Sequence, residues 1–493
     1  MPGAVEAEAK FSVPPDLRLP RRWDLEGLTV RPGQRSRLTT LYHDTPDLRL
    51  ARWGASLRYR ASEGWTVKLP TAGTEELLVR TEHRFPGQAN ALPAAALDLV
   101  RAFVRSAEVQ PVATMRTRRT SLSLVDPDGG EVAQVVDDRV SVSGPGVAMP
   151  AFREIEVELR DGAPAGLVAS VARHLGDPEP IPRSKLVRAL GPPAEAPPEV
   201  VPPRLGSEAS AAEVIKGALA SSVVRLLVND AGTRLGTDPE SLHQCRVAVR
   251  RLRSDLRTFA SLLEAEWTDA LREELRWLGG SLGRVRDRDV LLETLRDRAL
   301  ALPPTMRRPA ERLLRNLRAE QQEHRRALLE DLSGGRYAAL LDRVVEAANA
   351  PAVLPDAADV AGSVLLPVAA RPWTRLKGFV DEMDADPRDE NLHQLRIRTK
   401  RARYAAEAVG VVGGRPVARF ARTAASLQDV LGMHHDAVVA VDWLREAAAR
   451  SSGGVAFTAG AVASTFWNDA ARTRDQWPKA WKKLVKRAPE EWS

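Results

Sequence analysis

The sequence predicts a multidomain α+β protein, in which a mainly β domain with a few flanking helices precedes an all-α domain. In the first 190 residues, short segments of alternating polar and apolar residues are separated by proline and glycine, as is typical of β-strands. From residue 211 onward, apolar residues recur every three or four positions in long segments rich in Ala, Leu, Arg and Glu, which indicates helices. A proline-rich stretch without helical period separates the two regions. We therefore expect domains at 1–192 and 209–493, joined by a linker at 193–208.

The helical region contains an internal repeat. SLHQCRVAVRRLR (241–253) matches NLHQLRIRTKRAR (391–403) at a shift of 150, and LGRVRDRDV (282–290) matches LGMHHDAVV (431–439) at a shift of 149. This period is far longer than the repeat of a solenoid. The sequence therefore predicts two related helical bundles, at roughly 209–348 and 358–493.

The composition narrows the class of protein. With 44% hydrophobic and 28% charged residues, the chain is typical of a soluble globular protein. The single cysteine, Cys245, excludes a disulfide framework and a cysteine-based zinc site, and no apolar run is long enough to span a membrane. We expect a cytoplasmic protein. The net charge of +7 favours anionic partners.

Charged residues of the β region occupy alternating positions, so each set lies on one face of its strand. Five segments carry such sets: Glu6, Glu8 and Lys10; Arg58 and Arg60; Arg80, Glu82 and Arg84; Arg116 and Arg118; and Glu154, Glu156 and Glu158. Any one set fits a solvated sheet face, but five together indicate one charged surface, such as the lumen of a barrel. A polyphosphate chain with Mg²⁺ or Mn²⁺ would satisfy the carboxylates and the cations at once. Salt bridges within the protein are the alternative.

The same segments resemble the CYTH family, the triphosphate tunnel metalloenzymes. The resemblance covers roughly residues 4–190 and begins with E-x-E-x-K at Glu6, Glu8 and Lys10. It continues with YHDTPDLRL (42–50), SLRYR, VKL, MRTR, EIEVEL and SKLVRAL, in the order typical of the family. The resemblance implies a closed antiparallel barrel of eight strands around a charged tunnel, and a hydrolase that requires Mg²⁺ or Mn²⁺.

The resemblance also implies roles for individual residues. The expected metal ligands are Glu6, Glu8, Asp138, Glu156 and Glu158. The expected phosphate-binding residues are Lys10, Arg58, Arg60, Lys68, Arg80, Arg116, Arg118 and Lys185, and the expected catalytic residues are Glu8, Lys10 and Glu82. Asp138 is preferred to Asp137 because it directly precedes an arginine, as in the family's D-R step. Arg84 departs from the pattern, since another acid is expected there.

The helical repeats carry basic stripes. The first stripe consists of His243, Arg246, Arg250, Arg253 and Arg257, and the second of His393, Arg396, Lys400 and Arg403. Their spacing places each set on one helix face, where like charges repel unless they are solvated or bind an anion. The repetition of the stripe favours anion binding. The L-H-Q-x-R and L-G-x-x-x-D blocks resemble the CHAD domain, the conserved histidine α-helical domain, over about 209–493. That resemblance implies binding of inorganic polyphosphate.

A metal site at His434, His435 and Asp436 is disfavoured because the first repeat has no counterpart to the two histidines. The leading hypothesis is a hydrolase of inorganic triphosphate and short polyphosphate, with a helical domain that binds long-chain polyphosphate, and association with polyphosphate granules is a further expectation. Thiamine triphosphatase and adenylate cyclase activities are alternatives that need a base-binding pocket, for which Trp53 and Trp65 are the candidates. A non-catalytic polyphosphate-docking protein is a third alternative. Nucleic acid is not expected, because the stripes offer few aromatic faces for stacking bases.

Overall fold

The computed structural model describes residues 3–25, 27–71, 77–206 and 208–492, which form two compact units that divide between Glu199 and Val200. Eight strands of the first unit are β1 (Ala4–Ser12), β2 (Thr29–Asp44), β3 (Ser56–Arg60), β4 (Gly64–Pro70), β5 (Leu78–Phe85), β6 (Gln110–Val125), β7 (Glu131–Ser143) and β8 (Ala151–Leu159). They close into an antiparallel barrel in the order β1-β5-β4-β3-β2-β6-β7-β8. The predicted fold class, a closed barrel followed by a helical region, is confirmed.

Short helices accompany this barrel. They are α1 (Arg49–Arg52), α2 (Ala94–Val104), α3 (Leu167–His174), α4 (Lys185–Leu190) and α5 (Pro192–Glu195). The apolar positions of β1, including Ala9 and Phe11, face outward and pack with Leu167 and Val171 of α3. Much of the hydrophobic core therefore lies between the sheet and its helices, and the inward positions are left for charged side chains.

An apolar cluster fills one region of the barrel next to α4. Met115, Val140 and Phe152 pack there with Leu186 and Leu190 of α4. Lys185 is the first residue of α4, and the Ser184 hydroxyl caps this helix by accepting from the Val187 amide. This packing holds the amino end of α4, and with it the Lys185 ammonium, at the charged part of the lumen.

The second unit is helical. Its helices are α6 (Ala211–Leu235), α7 (Pro239–Thr258), α8 (Ala265–Leu300), α9 (Pro304–Ser333), α10 (Gly335–Asn349), α11 (Ala361–Asp381), α12 (Asp389–Ala408), α13 (Gly410–Ala449) and α14 (Gly453–Val485). The bounds of α7 and α12 differ by 150 residues at both ends, as the sequence repeat requires. One apolar core joins the two repeats, because Leu291 of α8 and Leu317 of α9 pack in a cluster with Leu444 of α13 and Phe466 of α14.

The expected linker begins inside α5, and its described residues from 196 to 206 form neither helix nor strand. No helix in the described part of the chain has the length and apolarity that crossing a membrane requires.

Candidate functional site

The lumen of the barrel holds a charged cavity of about 160 Å³. Its lining contains eight basic and six acidic side chains, namely Lys10, Arg58, Arg60, Lys68, Arg80, Arg84, Arg119 and Lys185, with Glu6, Glu8, Glu63, Glu82, Glu156 and Glu158. Ser56, Ser184 and Tyr42 complete the lining. Strand alternation produces most of this arrangement, because the inward faces carry Glu6, Glu8 and Lys10 of β1, Arg58 and Arg60 of β3, Arg80, Glu82 and Arg84 of β5, and Glu156 and Glu158 of β8.

An acidic cluster forms where β1 and β8 pair. The register sets Glu8 opposite Glu158, and Lys10 opposite Glu156. Each of Glu8, Glu156 and Glu158 offers a carboxylate oxygen, and these atoms lie within 4.8 Å of one another. Three oxygens at this spacing fit a hard divalent cation such as Mg²⁺ or Mn²⁺. These residues are three of the five metal ligands expected from the sequence.

The other two expected ligands lie outside this cluster and contact cations. Asp138 is fully buried, and its carboxylate lies 2.7 Å from the Arg119 guanidinium and 2.9 Å from the Lys185 ammonium. Glu6, a more exposed residue, pairs with Lys68. Asp137, the neighbour of Asp138, points away from the lumen and pairs with Arg153.

The cations of the lumen also pair with its carboxylates. Lys10 lies 3.3 Å from Glu8 and contacts Glu156 closely, and Lys185 lies 2.6 Å from Glu156. A second group surrounds Glu82, whose carboxylate is 3.0 Å from Lys68 and 3.5 Å from Arg58. Internal salt bridging, the alternative left open by the sequence, is therefore a property of this lumen. The same groups would have to change partners in order to hold phosphates or a metal.

The electrostatics of the lumen keep Glu8 and Glu82 ionised. Burial raises the pKa of Glu8, but the ammonium of Lys10 and the guanidinium of Arg80 outweigh burial and hold this pKa well below its usual range. The same balance, with Lys68 and Arg58, lowers the pKa of Glu82 to about 2. Burial lowers the pKa of Lys10 to about 8 despite the nearby Glu8. At neutral pH the Glu8 and Glu82 carboxylates are therefore ionised, and Lys10 is mostly protonated.

The structure corrects the prediction that Arg116 and Arg118 bind phosphate in the tunnel. Both side chains are exposed, and Arg119 lines the cavity instead. Arg119 lies opposite Asp138 in the β6–β7 register and also reaches Glu156 at 3.2 Å. Alternation shows that Arg116 and Arg118 share a face, but it does not show which face points inward. Sequence reasoning missed Arg119. Its position directly after Arg118 was the only feature of the sequence that could have pointed to it.

The aromatic candidates for a base pocket lie outside the lumen. Trp65 is buried in the outer layer, where its indole N–H donates to the carbonyl of Gln88. Trp53 stacks on Phe103 and donates to Glu199. Tyr42 is the aromatic residue among the described residues that line the cavity. The lining therefore offers charged groups for phosphates and little surface on which a base could stack.

The YHDTP segment has a structural role that sequence reasoning did not assign. One carboxylate oxygen of Asp44 accepts from the amides of Thr45 and Leu50, at 2.7 and 2.8 Å, and the other accepts from the amide of Ala51 at 2.9 Å. The carboxylate thereby satisfies the free amides at the start of α1. This turn ends β2 two residues after Tyr42.

In the helical unit, the two stripes face each other. Charge repulsion couples Arg250 with Arg246 and Arg396, and Lys400 with all three. Burial and these guanidinium groups lower the pKa of Lys400 to about 7. Asp287 partly compensates the charge, since it lies 2.6 Å from Arg246. The centre of the paired stripes is therefore a site with excess positive charge.

The other residues of the two stripes lie at the margins of this positively charged site. His393 contacts His435 with the two Nδ1 atoms 3.2 Å apart, and burial followed by the nearby Arg396 lowers the pKa of His435 to about 4. Burial also lowers the pKa of His243. Arg253 and Arg257 follow on the same face of α7, whereas Arg403 pairs with Glu407 at 2.7 Å.

The histidine pair at 434–435 does not form a metal cluster. His434 is buried, with Nε2 3.0 Å from Asp389 and Nδ1 3.1 Å from the carbonyl of Ala470. Both ring nitrogens therefore have protein partners. Within the described residues, the group of acids and histidines close enough to share a metal is Glu8, Glu156 and Glu158.

The fold and the lumen together define a tunnel barrel with a metal-compatible acidic cluster, followed by a helical domain. The chain belongs to the family of proteins in which a CYTH domain, matched here at residues 4–178, precedes a CHAD domain, matched at 217–445. Members of the CYTH family are triphosphate tunnel metalloenzymes.

Similar proteins include the uncharacterized proteins MT2285 and Rv2226 of two Mycobacterium tuberculosis strains. Each is 33% identical over 521 residues, and the match covers 98% of this chain and 96% of the relative. Among solved structures, PptA from Streptomyces chartreusis matches with a TM-score of 0.48 and 23% identity, over 56% of this chain and 100% of that protein. The CHAD domain from the plant Ricinus communis matches with a TM-score of 0.47 and 26% identity, over 57% of this chain and 94% of that domain.

Proposed function

We propose that the barrel is a metal-dependent hydrolase of inorganic triphosphate and short polyphosphate. One observation carries the proposal: the oxygens of Glu8, Glu156 and Glu158 converge within 4.8 Å on the wall of a cavity that also carries eight basic side chains. The cluster suits Mg²⁺ or Mn²⁺, and the cations suit an extended chain of phosphates. The apolar cluster of Met115, Val140 and Phe152 beside α4 supports a short substrate, because it occupies lumen that a long chain would need.

In this proposal, substrate and metal exchange partners with the ion pairs of the lumen. Glu8, Glu156 and Glu158 would hold the metal, which supplies charge neutralisation of the phosphate oxygens and activation of water. Lys10 and Lys185, which otherwise contact Glu156, would then turn to the phosphates. Arg58, Arg60, Lys68, Arg80 and Arg119 would fix the rest of the chain. The burial of these groups makes their interaction with phosphate stronger than it would be in water.

Glu82 is the candidate for orienting the attacking water. Its low pKa, about 2, keeps it a carboxylate at neutral pH, so it accepts a hydrogen bond from water but is a weak proton acceptor. Lys68 and Arg58 hold it in place. Catalysis would then depend mainly on positioning and on charge stabilisation of the transferred phosphoryl group.

The helical domain is proposed to bind long-chain polyphosphate along the paired stripes. The residues for this role are His243, Arg246, Arg250, Arg253, Arg257, His393, Arg396, Lys400 and Arg403. The excess positive charge around Lys400 supports the proposal: burial and the neighbouring guanidinium groups lower its pKa, and a bound polyanion would relieve the repulsion among these groups. A cytoplasmic protein associated with polyphosphate granules fits both activities.

The test is phosphate release by the purified protein from tripolyphosphate, longer polyphosphate, thiamine triphosphate and ATP, with Mg²⁺, with Mn²⁺ and with chelator. We expect release from tripolyphosphate that depends on the metal and exceeds release from the organic triphosphates. Faster turnover of thiamine triphosphate, or formation of cyclic AMP, would favour those alternatives. Tight polyphosphate binding without any hydrolysis would favour a docking protein.

A further inference from the structure

The helical unit contains a second cationic site, a pocket of about 410 Å³ where the end of α7 meets α11 and α12. Its lining includes the five arginines Arg257, Arg371, Arg375, Arg398 and Arg401 and the three hydroxyl residues Ser254, Thr258 and Ser261. Ala260, Val368 and Pro372 complete it. No acidic residue is among the described residues that line this pocket. We call it the arginine pocket.

The charge of the arginine pocket is uncompensated. Within the described residues, none of its five arginines has an ion-pair partner. Arg398 lies with its guanidinium 4.5 Å from the centre of the Phe379 ring, and its Nε is buried without a hydrogen-bond partner in the described part of the chain. Burial and the nearby Arg401 lower the pKa of Arg257 to about 10, so this guanidinium remains protonated near neutral pH. Arg257, Arg371, Arg375 and Arg401 are exposed and solvated, whereas Arg398 is half-buried. Like charges gathered around one pocket favour a bound anion.

The internal repeat supplies a natural control. A shift of 150 residues maps the arginine pocket onto a second pocket, of about 330 Å³, where α6 and α7 meet the end of α12. We call it the first-repeat pocket, because most of its lining comes from the first repeat. There Ser221 replaces Arg371 and Glu407 replaces Arg257, while Arg225 and Arg251 correspond to Arg375 and Arg401. Glu407 pairs with Arg251, and Asp255 also lines this pocket. The same scaffold thus carries balanced charges in one pocket and only basic charges in the other, so the arginine content of the chain does not by itself explain the arginine pocket.

We propose that the arginine pocket binds a compact diphosphate anion. Planar guanidinium groups bind phosphate oxygens through paired hydrogen bonds, and the three hydroxyls can donate further ones. The same chemistry could be presented by free pyrophosphate or by the end of a polyphosphate chain. The pocket extends the phosphate chemistry of the helical domain to a defined site outside the stripe centre, and it does not depend on hydrolysis in the tunnel.

The experiment uses the full-length protein and hydrogen-exchange mass spectrometry, which locates a ligand on the chain even if the tunnel also binds it. Pyrophosphate should protect peptides around 254–261 and 368–375. The double variant Arg257→Glu with Arg371→Ser carries the residues of the first-repeat pocket, which the same scaffold already tolerates. It should raise the pyrophosphate concentration needed for half protection by about tenfold or more, since charged hydrogen bonds and charge balance are lost together. The matched control, Arg225→Ala in the first-repeat pocket, should behave as the wild type does.

To distinguish free pyrophosphate from the end of a polyphosphate chain, the measurement is repeated with long-chain polyphosphate. The protein used is the variant Arg246→Ala, Arg250→Ala, Arg396→Ala, Lys400→Ala, which lacks the charges at the centre of the stripes. Protection at 368–375 that persists identifies a chain end as the ligand, and protection by pyrophosphate alone identifies the free anion. Absence of local protection by millimolar pyrophosphate in the wild type, or equal protection in the double variant, would overturn the proposal. Phosphate release from tripolyphosphate, measured on the same samples, reports separately on the tunnel.

Discussion

At the residue scale, the proposed hydrolysis depends on the carboxylates of the lumen and on the cations that lie beside them. Glu8 contacts both Lys10 and Arg80, and its low pKa means that a metal meets a formed carboxylate and displaces no proton. Replacing such an acid by its amide keeps the size of the side chain but removes the negative charge. Function can therefore be changed at this position with little change in packing.

Glu8→Gln and Glu158→Gln should each lower the rate of tripolyphosphate hydrolysis on the order of 100-fold or more, because each removes one oxygen ligand charge from the cluster. Steady-state kinetics at saturating Mg²⁺ or Mn²⁺ measure this, with thermal unfolding to confirm the fold. Glu131→Gln is the control, since this residue is exposed and pairs with Arg160. Near-normal turnover in both lumen variants would refute the metal assignment.

Arg119→Ala should lower kcat/KM for tripolyphosphate by about tenfold or more, since it removes a charged phosphate partner from the lumen. Arg118→Ala should stay within about twofold of the wild type, because an exposed arginine offers the substrate little. The pair tests the orientation of β6 directly. If the Arg118 variant were the impaired one, the inward face assigned to this strand would be wrong.

At the element scale, the packing of α7 against α12 brings the two basic stripes together and so forms the proposed polyphosphate site. Lys400 on α12 meets Arg246 and Arg250 from α7 and Arg396 from its own helix, and Asp436 of α13 is the facing acid. His393 and His435 also lie in this group. A lysine with a pKa near 7 in such surroundings is charged on only part of the molecules at neutral pH.

This predicts that polyphosphate affinity falls as pH rises through about 7, the pKa of Lys400 in the free protein. A lowered lysine pKa means that the ammonium is present below this pH and lost above it, so binding above it requires proton uptake. Titrations from pH 6 to pH 8.5 should show the fall, and calorimetry in buffers of different ionisation enthalpy should show the proton uptake. Lys400→Arg, which stays charged, should flatten the pH dependence, and an unchanged slope in that variant would exclude Lys400 as its source.

The stripes should also bind in a salt-dependent way, because each cation that contacts a phosphate releases counterions. Replacing Arg246, Arg250, Arg396 and Lys400 together by alanine should weaken binding and flatten the dependence of affinity on salt. Helicity should survive, since alanine is a strong helix former. Titrations at several salt concentrations, with RNA as competitor, measure this. Unchanged affinity, or preferential binding of RNA, would contradict a polyphosphate surface.

At the scale of the whole molecule, two units carry two proposed tasks. The division between Glu199 and Val200 predicts that residues 1–199 alone hydrolyse tripolyphosphate and that residues 200–493 alone bind polyphosphate without hydrolysing it. The helical unit lacks an acidic cluster with metal-ligand spacing among its described residues. Phosphate release and binding assays on the two fragments, each checked for folding by circular dichroism, measure the division. Hydrolysis by the helical fragment would overturn it.

The sequence by itself determined the class of fold and most of the lumen. Strand alternation and the ordered motifs predicted the barrel, and the 150-residue shift predicted the duplicated helices. Glu8, Lys10 and Glu156 could be chosen because a period of two places residues of one strand on a common face, whereas Lys185, which begins α4, was chosen from the family resemblance alone. Their placement in the lumen agrees with that reasoning, while their roles remain predictions.

The tertiary structure alone decided which faces meet. Glu8 and Glu158 are 150 positions apart and become neighbours only through the β1–β8 register, and Arg119 replaces Arg116 and Arg118 because β6 turns its other face inward. The arginine pocket combines α7 with α11 and α12, from different halves of the repeat. Local periodicity shows which residues share a face. Which face is buried, and what lies opposite, depends on pairing between distant segments, which are brought together by the closure of the barrel and the packing of the helices.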